Sequence, residues 1–228
     1  VPFVMENTIP VVRRLSGGGT VFHDYGNLNF CFIQNGKPGY LVDFKKFSQP
    51  IIDLLHKLGI DAGIKGKSDL VIDNLKFSGN AGHVYKNRVL HHGTLLFSSD
   101  INQLNKAIKA DWAKFSDKAV RSNRSQVTNI SDHLKNPMTI EDFTHMLLDQ
   151  IKEQQPDIAE FTLSNADVEA INKLVLSKYA TWEWNFSYSP NYEFSRRVEL
   201  SLGWLNIRLD VDKGIIQKII CMQSIGII

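Results

Sequence analysis

The sequence has few cysteines and little excess charge of either sign. Its two cysteines, Cys31 and Cys221, form no C-x-x-C pair, which excludes a disulfide framework and a cysteine-rich zinc site. Lys and Arg together number 26, Asp and Glu number 24, and the formal net charge is +2. So small an excess provides no electrostatic footprint for duplex DNA or an anionic membrane. We therefore expect reduced thiols and no nucleic-acid partner.

Long apolar runs are missing as well. No run approaches the ~20 residues that a transmembrane helix requires, and no signal-peptide pattern opens the sequence. The composition, with 43% hydrophobic and 22% charged residues, is instead typical of globular domains. These features predict a cytoplasmic protein with no membrane partner.

Strand and helix patterns alternate irregularly along the chain. Apolar residues at helical spacing predict a helix over 41–58, and N-cap residues predict helices near 139–154 and 164–179. Alternation on both sides of Lys213-Gly214 predicts a hairpin. The other segments with strand character are 9–15, 28–33, 70–72, 75–78 and 89–97. This order predicts an α+β fold, with mixed β-sheets flanked by helices rather than one doubly wound sheet.

A run of three glycines, Gly17 to Gly19, follows a strand-like stretch that ends in Arg13-Arg14. Glycine exposes backbone N–H groups and lets a ligand approach the main chain closely, and Arg14 adds a fixed positive charge. The segment therefore suits a phosphate, or a carboxylate that becomes a mixed anhydride with phosphate. Its spacing matches neither G-x-G-x-x-G nor G-x-x-x-x-G-K-[ST]. The alternative interpretation is a flexible glycine turn.

Lys76 lies in a strand-like stretch between two apolar residues, and small residues follow it. An outward-facing strand charge is one interpretation of this lysine. If it faces a cleft, it can hold an oxyanion or the α-phosphate in a nucleotidyl transfer. The adjacent His91 and His92 lie in another predicted strand, where neighbours point to opposite faces, so we do not expect a dedicated zinc site there.

Six motifs, in order, resemble the motif series of lipoate–protein ligases. The first three are RRLSGGGTVFHDYGNLNF, SDLVIDNLKFSGNA and HHGTLLF, and the last three are RSQVTN, WEWNF and LDVDKG. The resemblance covers nearly the whole chain, and its specificity comes from several unrelated motifs in one order. It implies a biotin–protein ligase-like (class II synthetase-like) catalytic domain, in which β-sheets are flanked by helices.

The resemblance also assigns expected roles to individual residues. Lys76 matches the essential lysine of the family, which contacts both lipoate and the adenylate. The residues expected to bind ATP or lipoyl-AMP are Arg14, Gly17, Gly18, Gly19, Thr20, Val21, Phe22, Lys76 and Arg124. The residues expected to line the lipoate pocket are Gly79, His92 and Gly93. The metal ligands stay open, although Asp24 and Asp69 are candidates.

The chemistry implied by the resemblance has two steps. Lipoate and Mg-ATP would give lipoyl-AMP and pyrophosphate, and the lipoyl group would then pass to a lysine of an acceptor protein. The implied cofactors are ATP and Mg²⁺, with lipoate as substrate. The implied partners are the lipoyl domains of 2-oxoacid dehydrogenase E2 subunits and the glycine cleavage H protein, and the enzyme is expected to be a monomer.

The sequence departs from the family pattern in several places. Nothing matches the G-R-x-Q-N segment that usually precedes the double arginine, or the small accessory domain that commonly follows the final hairpin. We therefore expect residues 1–228 to be the large catalytic domain without those two parts. Family members often have G-R-N-D where this chain has Gly66 to Asp69, and arginine where Gln126 stands.

Three other functions are compatible with parts of this pattern. An octanoyl- or lipoyl-transferase on the same fold would need no ATP and would use a cysteine nucleophile, for which Cys31 is the candidate. A biotin–protein ligase would need a G-R-G-R-x-x loop, which is absent. A non-catalytic lipoate-binding protein is the third alternative.

Overall fold

The structure of the chain is a computed structural model that describes residues 2–36, 42–109, 115–117, 125–201 and 203–225. Contacts divide the chain into two compact units. The first unit comprises residues 1–14, 109–121 and 161–228, and the second comprises residues 15–108 and 122–160. Within the described ranges, no helix is long and apolar enough to cross a membrane.

The second unit is built from a sheet and several helices. Its strands are β1 (Asn27–Asn35), β2 (Ala62–Lys65), β3 (Asp69–Ile72), β4 (Leu75–Tyr85) and β5 (Arg88–Leu96). Its helices are α2 (Phe44–Lys57), α3 (Ile101–Ala107), a 3₁₀ helix (Ile130–His133) and α4 (Ile140–Gln154).

The first unit contains the N-terminal helix and the C-terminal strands. Its helices are α1 (Pro2–Glu6), α5 (Asn165–Leu174) and two π-helical segments (Val175–Tyr179 and Glu183–Ser187). Its strands are β6 (Phe115–Asp117), β7 (Tyr192–Leu200), β8 (Gly203–Asp212) and β9 (Ile215–Ile225).

The sheet of the second unit has the order β1-β5-β4-β3-β2, and each pair of neighbours is antiparallel. Asp73 and Asn74 link β3 to β4 with positive φ angles of 49° and 64°, which is the geometry of a type I′ hairpin turn. One face of the sheet packs against α2 and α4. The fully buried residues of this core include Leu55, Phe77, Leu95 and Phe143.

Side chains alternate between the two faces of this sheet, as the pleat requires. Along β5, His91 and Gly93 are buried on the side of the helices, whereas His92 and Thr94 point to the opposite side. We call that opposite side the outer face. The cross-strand partners of His92 and Thr94 include Cys31, Ala81 and Gly79, which therefore belong to the outer face too.

The sheet of the first unit has the order β6-β7-β8-β9, and its ladders are antiparallel. Lys213 and Gly214 form the predicted turn between β8 and β9, with φ angles of 48° and 71°. A Cβ atom on Gly214 would lie 2.9 Å from the Trp182 ring. The WEWNF and LDVDKG motifs are therefore in contact at this turn.

The α+β prediction is confirmed, although the ladders between the described strands are antiparallel rather than mixed. The helices predicted near 41–58 and 139–154 are confirmed as α2 and α4. Near 164–179 the α-helix ends at Leu174, and a π-helical segment continues the chain.

The strand predicted over 9–15 is wrong. The short helix α1 precedes this stretch, and residues 9–14 form no strand. Arg13 N–H instead donates to Asn185 Oδ1 at 2.8 Å, and the Trp184 indole N–H donates to the Arg13 carbonyl at 2.8 Å. These bonds satisfy the main chain from the WEWNF motif, so no ladder is required.

Candidate functional site

Lys76 is on the outer face of the second unit's sheet, beside an acidic partner. Its Nζ lies 2.7 Å from Asp69 Oδ1, and the two side chains are 27% and 28% exposed. Asp69 begins β3 and Lys76 is near the start of β4, so the hairpin between these strands brings them together. A partly buried ion pair with this geometry is charge-assisted and has a defined orientation.

A β-bulge sets the direction of Lys76. Leu70 pairs with Ser78 but the next residue, Val71, pairs with Lys76, so Phe77 is the extra residue of the bulged strand. Phe77 and Ser78 are consecutive and both fully buried. Lys76 and Gly79 are three residues apart and would point to opposite faces of a regular strand, but the bulge puts both on the outer face.

Gly79 leaves room for the lysine. A Cβ atom at position 79 would lie 3.2 Å from Lys76 Cε and 3.3 Å from Lys76 Nζ. The ammonium group therefore lies directly over the Gly79 backbone. The sequence prediction grouped Gly79 with the lipoate pocket, and in the structure it lies next to the predicted catalytic lysine.

The main chain of Lys76 is held by a second segment. Lys76 N–H donates to the Gln126 carbonyl at 2.9 Å, and Thr128 N–H donates to the Lys76 carbonyl at 3.0 Å. This parallel bridge joins Lys76 to Val127. The described end of the RSQVTN motif thus fixes the backbone at the candidate catalytic residue, while Arg124 of that motif lies outside the described residues.

Asn129 fixes the end of the same motif. Its side chain accepts from Ser99 N–H at 2.9 Å and donates to the Ser99 carbonyl at 3.0 Å. Ser131 N–H donates to the Phe97 carbonyl just beyond β5 at 2.9 Å. The segment from 126 to 131 is therefore anchored to the sheet by backbone bonds and one buried amide.

The glycine segment is tied to the outer face through Ser16. The buried Ser16 side chain has its Oγ 2.5 Å from His92 Nε2, which is within hydrogen-bonding distance. Gly17 and Gly18 are exposed and Gly19 is half-buried. Gly18 has a φ of 107°, a conformation that residues with a Cβ rarely adopt.

The residues after the glycines differ in exposure. Thr20 and Val21 are exposed, and Phe22 is half-buried. Gly26 ends the segment against the sheet, because its carbonyl accepts from Phe97 N–H and Ser98 N–H at 3.0 and 2.9 Å. A Cβ atom on Gly26 would overlap the Ser98 main chain, so only glycine fits there.

Asp24, one of the candidate metal ligands, accepts hydrogen bonds from the main chain. Its Oδ1 accepts from Gly26 N–H at 3.0 Å, and its Oδ2 accepts from Asp100 N–H at 2.7 Å. Both oxygens thus serve to hold the loop that follows the glycines. This arrangement gives Asp24 a structural explanation that needs no metal.

The two adjacent histidines lie on opposite faces, as predicted. His92 contacts the glycine segment on the outer face, whereas His91 is fully buried on the inner face among aromatic rings. Gly93 also faces inward, and a Cβ atom there would lie 2.6 Å from the Phe30 ring. The sequence prediction put His92 and Gly93 in one pocket, but the two positions belong to opposite faces of β5.

The two arginines that precede the glycines belong to the first unit, whereas the glycines belong to the second. The Arg13 guanidinium donates to the Asn185 carbonyl at 3.1 Å and to Ser189 Oγ at 2.8 Å. Arg13 is therefore part of the structure around WEWNF. Arg14 is half-buried, and burial lowers the pKa of its guanidinium.

No group of three or more metal-ligating His, Cys, Asp or Glu side chains occurs within the described ranges. Mg²⁺ in nucleotide sites is commonly held by phosphate oxygens and water with only one or two carboxylates. Among the described outer-face residues near Lys76, the carboxylate of Asp69 is of the right chemical type, but it is paired with the lysine. We assign no metal ligand.

Known proteins share this sequence and fold. The family model of the lipoyl protein ligase A/B catalytic domain matches residues 1–152. The chain belongs to this family. It is 39% identical over 215 residues to lipoate–protein ligase 1 of Staphylococcus aureus and 41% identical over 217 residues to lipoate–protein ligase LplJ of Bacillus subtilis. Each alignment covers 94% of this chain, but the chain spans only 65% and 66% of those two proteins.

Solved lipoate–protein ligases have the same fold. A bipartite lipoate protein ligase from Thermoplasma acidophilum, described together with its E2 lipoyl domain, aligns with a TM-score of 0.67 and 25% identity. The alignment covers 81% of this chain and 73% of the Thermoplasma chain. A lipoate–protein ligase A bound with ATP aligns with a TM-score of 0.66 and 25% identity, covering 81% and 74%.

Several contacts around Lys76 and the glycine segment were not predicted from the sequence. The sequence indicated Asp69 only as a candidate metal ligand. It did not predict that Ser16 contacts His92 or that Lys76 pairs with the segment 126–128. The alternation of side-chain direction along β5 and the short β3–β4 hairpin could have indicated which side chains share a face. The bulge that brings Lys76 and Gly79 together left no recognisable sequence signal.

Proposed function

We propose that this chain is the catalytic portion of a lipoate–protein ligase, which activates lipoate with ATP and attaches the lipoyl group to a protein lysine. The observation that carries the proposal is the position of the Lys76 ammonium, over Gly79 and beside Asp69. This charge is on the sheet face to which Ser16 and His92 tie the glycine segment. A cation and an exposed glycine segment on one face suit an acyl phosphate anion.

In the first step a lipoate carboxylate oxygen attacks the α-phosphorus of ATP. The new P–O bond gives lipoyl-AMP, and the bond to the leaving pyrophosphate breaks with its electron pair. Negative charge increases on the phosphoryl oxygens during this transfer, and a fixed ammonium such as that of Lys76 offsets it. Mg²⁺ would accompany the nucleotide and share its phosphate charge.

In the second step the neutral amine of an acceptor lysine attacks the acyl carbon. An amide bond forms, AMP leaves with the electrons of the acyl–oxygen bond, and the amine proton passes to solvent. Holding the two reactants together can lower the barrier by on the order of 7–11 kcal/mol without a covalent enzyme intermediate. The role proposed for the protein is therefore binding, alignment and charge stabilisation.

The acceptor is proposed to be a lipoyl domain. The Thermoplasma ligase that resembles this chain was described together with its E2 lipoyl domain. Lipoyl domains of 2-oxoacid dehydrogenase E2 subunits are therefore the first acceptors to test, and the glycine cleavage H protein is the second. A monomeric state and a cytoplasmic location stay predictions from sequence.

An ATP-independent transferase would need a nucleophilic cysteine. Cys31 is on the outer face, opposite His92 in the β1–β5 register. The thiol is exposed, but partial desolvation by its neighbours raises its pKa, which lowers the fraction of thiolate that could attack an acyl donor. A shift in this direction does not activate the thiol as a nucleophile.

The decisive experiment is ATP–pyrophosphate exchange with lipoate, octanoate and biotin compared side by side. The proposal predicts exchange that depends on lipoate, with little or none on biotin. Because the chain spans only 65% of the Staphylococcus relative, transfer to a lipoyl domain should be measured separately from exchange. Lipoylation from a lipoyl-thioester or protein-bound donor without ATP, and no exchange, would instead support the transferase.

A further inference from the structure

We infer that Asp69 is a positioning residue, which holds the Lys76 ammonium in the orientation required for adenylate formation. The inference rests on the proposed function and adds to it a residue that acts through the lysine. Its observational basis is the 2.7 Å ion pair between Lys76 Nζ and Asp69 Oδ1.

The backbone contacts of Lys76 fix where its side chain starts but not where it ends. Bonds to Gln126 and Thr128 hold the main chain, and the bulge at Phe77 sets the face. Four methylene groups, linked by freely rotating bonds, still separate the backbone from the ammonium. Ordering a lysine side chain costs up to about 2 kcal/mol of rotamer entropy. An additional contact is needed to keep the charge in one place.

Two features of the sheet provide that contact. Asp69 attracts the ammonium, and Gly79 leaves the space in which it lies, 3.3 Å from where a Cβ would be. Asp69 and Gly79 are directly opposite each other in the β3–β4 register. The Asp69 carboxylate and the absence of a side chain at Gly79 thus define one position for the Lys76 amine.

The same pair leaves the ammonium able to bind a ligand. A lysine ammonium has three N–H donors, and the described residues show Asp69 as an acceptor for one of them. The others can reach a carboxylate or phosphate oxygen that arrives at the outer face. A charge that is already oriented needs little reorganisation when the transition state forms, so its effect on the rate is large.

The test is Asp69→Asn in the full chain, with Asp73→Asn as the matched control. Asp73 is on the same hairpin, its side chain is 79% exposed, and its φ of 49° suits asparagine equally well. In lipoate-dependent ATP–pyrophosphate exchange, we expect Asp69→Asn to lower kcat by about 10-fold or more. The KM values for lipoate and ATP and the melting temperature should change little, and Asp73→Asn should match wild type.

Two further measurements separate positioning from other roles of a carboxylate. In a Lys76→Ala background, single-turnover adenylation should be no slower with Asp69→Asn added, because the residue acts only through the lysine. The Mg²⁺ concentration that gives half-maximal exchange should be the same in Asp69→Asn and wild type. Asp69→Glu should recover part of the lost kcat, because it restores the charge.

A second variant changes the other residue that contacts the Lys76 amine, Gly79. Gly79→Ala removes no functional group but puts a methyl group 3.2 Å from Lys76 Cε and 3.3 Å from Lys76 Nζ. Because this contact is tight enough to displace the amine, the variant should also lower kcat more than it changes KM. A kcat of Asp69→Asn equal to that of Asp73→Asn would overturn the inference while leaving the proposed function standing. A raised Mg²⁺ requirement, or a further loss in the Lys76→Ala background, would overturn it as well. Absence of lipoate-dependent exchange in the wild-type chain would overturn both.

Discussion

Ser16 and His92 are 76 residues apart in the sequence, yet Ser16 Oγ lies 2.5 Å from His92 Nε2. This contact fixes the start of the glycine segment on the outer face of the sheet. Gly17, the next residue, is exposed, and an added Cβ would meet no described atom within 4 Å. The space beside Gly17 is therefore open at the point where a ligand anion is proposed to bind.

Gly17→Ala should leave stability unchanged and weaken ligand binding. The methyl group meets nothing in the protein, but it would intrude on a ligand seated against the main chain, and such an intrusion costs roughly 10-fold or more in specificity constant. Gly63→Ala is the control, because a Cβ there also meets nothing within 4 Å. Thermal melts and exchange kinetics would check this, and equal kinetics for the two variants would contradict a ligand at Gly17.

Lys76→Ala should abolish most adenylate formation without unfolding the second unit. The side chain is partly exposed, so its removal leaves no buried cavity, and loss of a preorganised charge should lower the exchange rate about 100-fold or more. Exchange and circular dichroism on the same preparation are the measurements. Full activity in a folded variant would disprove the role given to this lysine.

Acid should destabilise the second unit through His91. Its ring is fully buried, stacks on Phe47 at 4.8 Å, and both ring nitrogens have no hydrogen-bond partner among the described residues. Burial, with a smaller contribution from His92 against the opposing effect of Asp43, lowers the pKa of His91 from its usual 6.5 to about 4. The contribution of neutral His91 to the free energy of unfolding is therefore fully present above pH 6.5. It is lost as pH falls towards 4, by up to about 1.4 kcal/mol per pH unit.

The variant that tests this is His91→Phe, with the exposed His145→Asn as control. Phenylalanine has no nitrogen to leave unsatisfied, so His91→Phe should be at least as stable as wild type at pH 7. Denaturant unfolding at pH 7 and pH 5 should show a smaller difference in His91→Phe, whereas His145→Asn should keep the wild-type difference. An unchanged acid dependence in His91→Phe would assign it to other groups.

Cys31 can report whether a ligand occupies the outer face. Both Cys31 and Cys221 are exposed, but only Cys31 is opposite His92 in the β1–β5 register, and Cys221 is on β9 of the first unit. A non-hydrolysable lipoyl-adenylate analogue should slow alkylation of Cys31 severalfold and leave Cys221 unaffected, as measured by mass spectrometry. Equal rates with and without the analogue at Cys31 would argue against binding on this face.

Local sequence signals predicted the elements that depend on neighbouring residues. Thr139 is the N-cap of α4, as predicted, and forms a capping box with Asp142, because a cap needs only four residues. Lys213-Gly214 forms the predicted turn for the same reason. The strand predicted over 9–15 failed because Asn185 and Trp184, far along the chain, bind the main chain of Arg13.

The sequence by itself determined the α+β class and the main helices and hairpins, since residue type, period and motif order are local properties. The same signals predict Lys76 and the glycine segment as the residues that carry the chemistry. Only the tertiary structure decided that Asp69 and Gly79 lie beside the Lys76 amine, that Ser16 meets His92, and that His91 and Gly93 face the other way. The physical reason is register. One extra residue in a strand changes which side chains share a face, and contacts between distant segments are set by the packing of the whole unit.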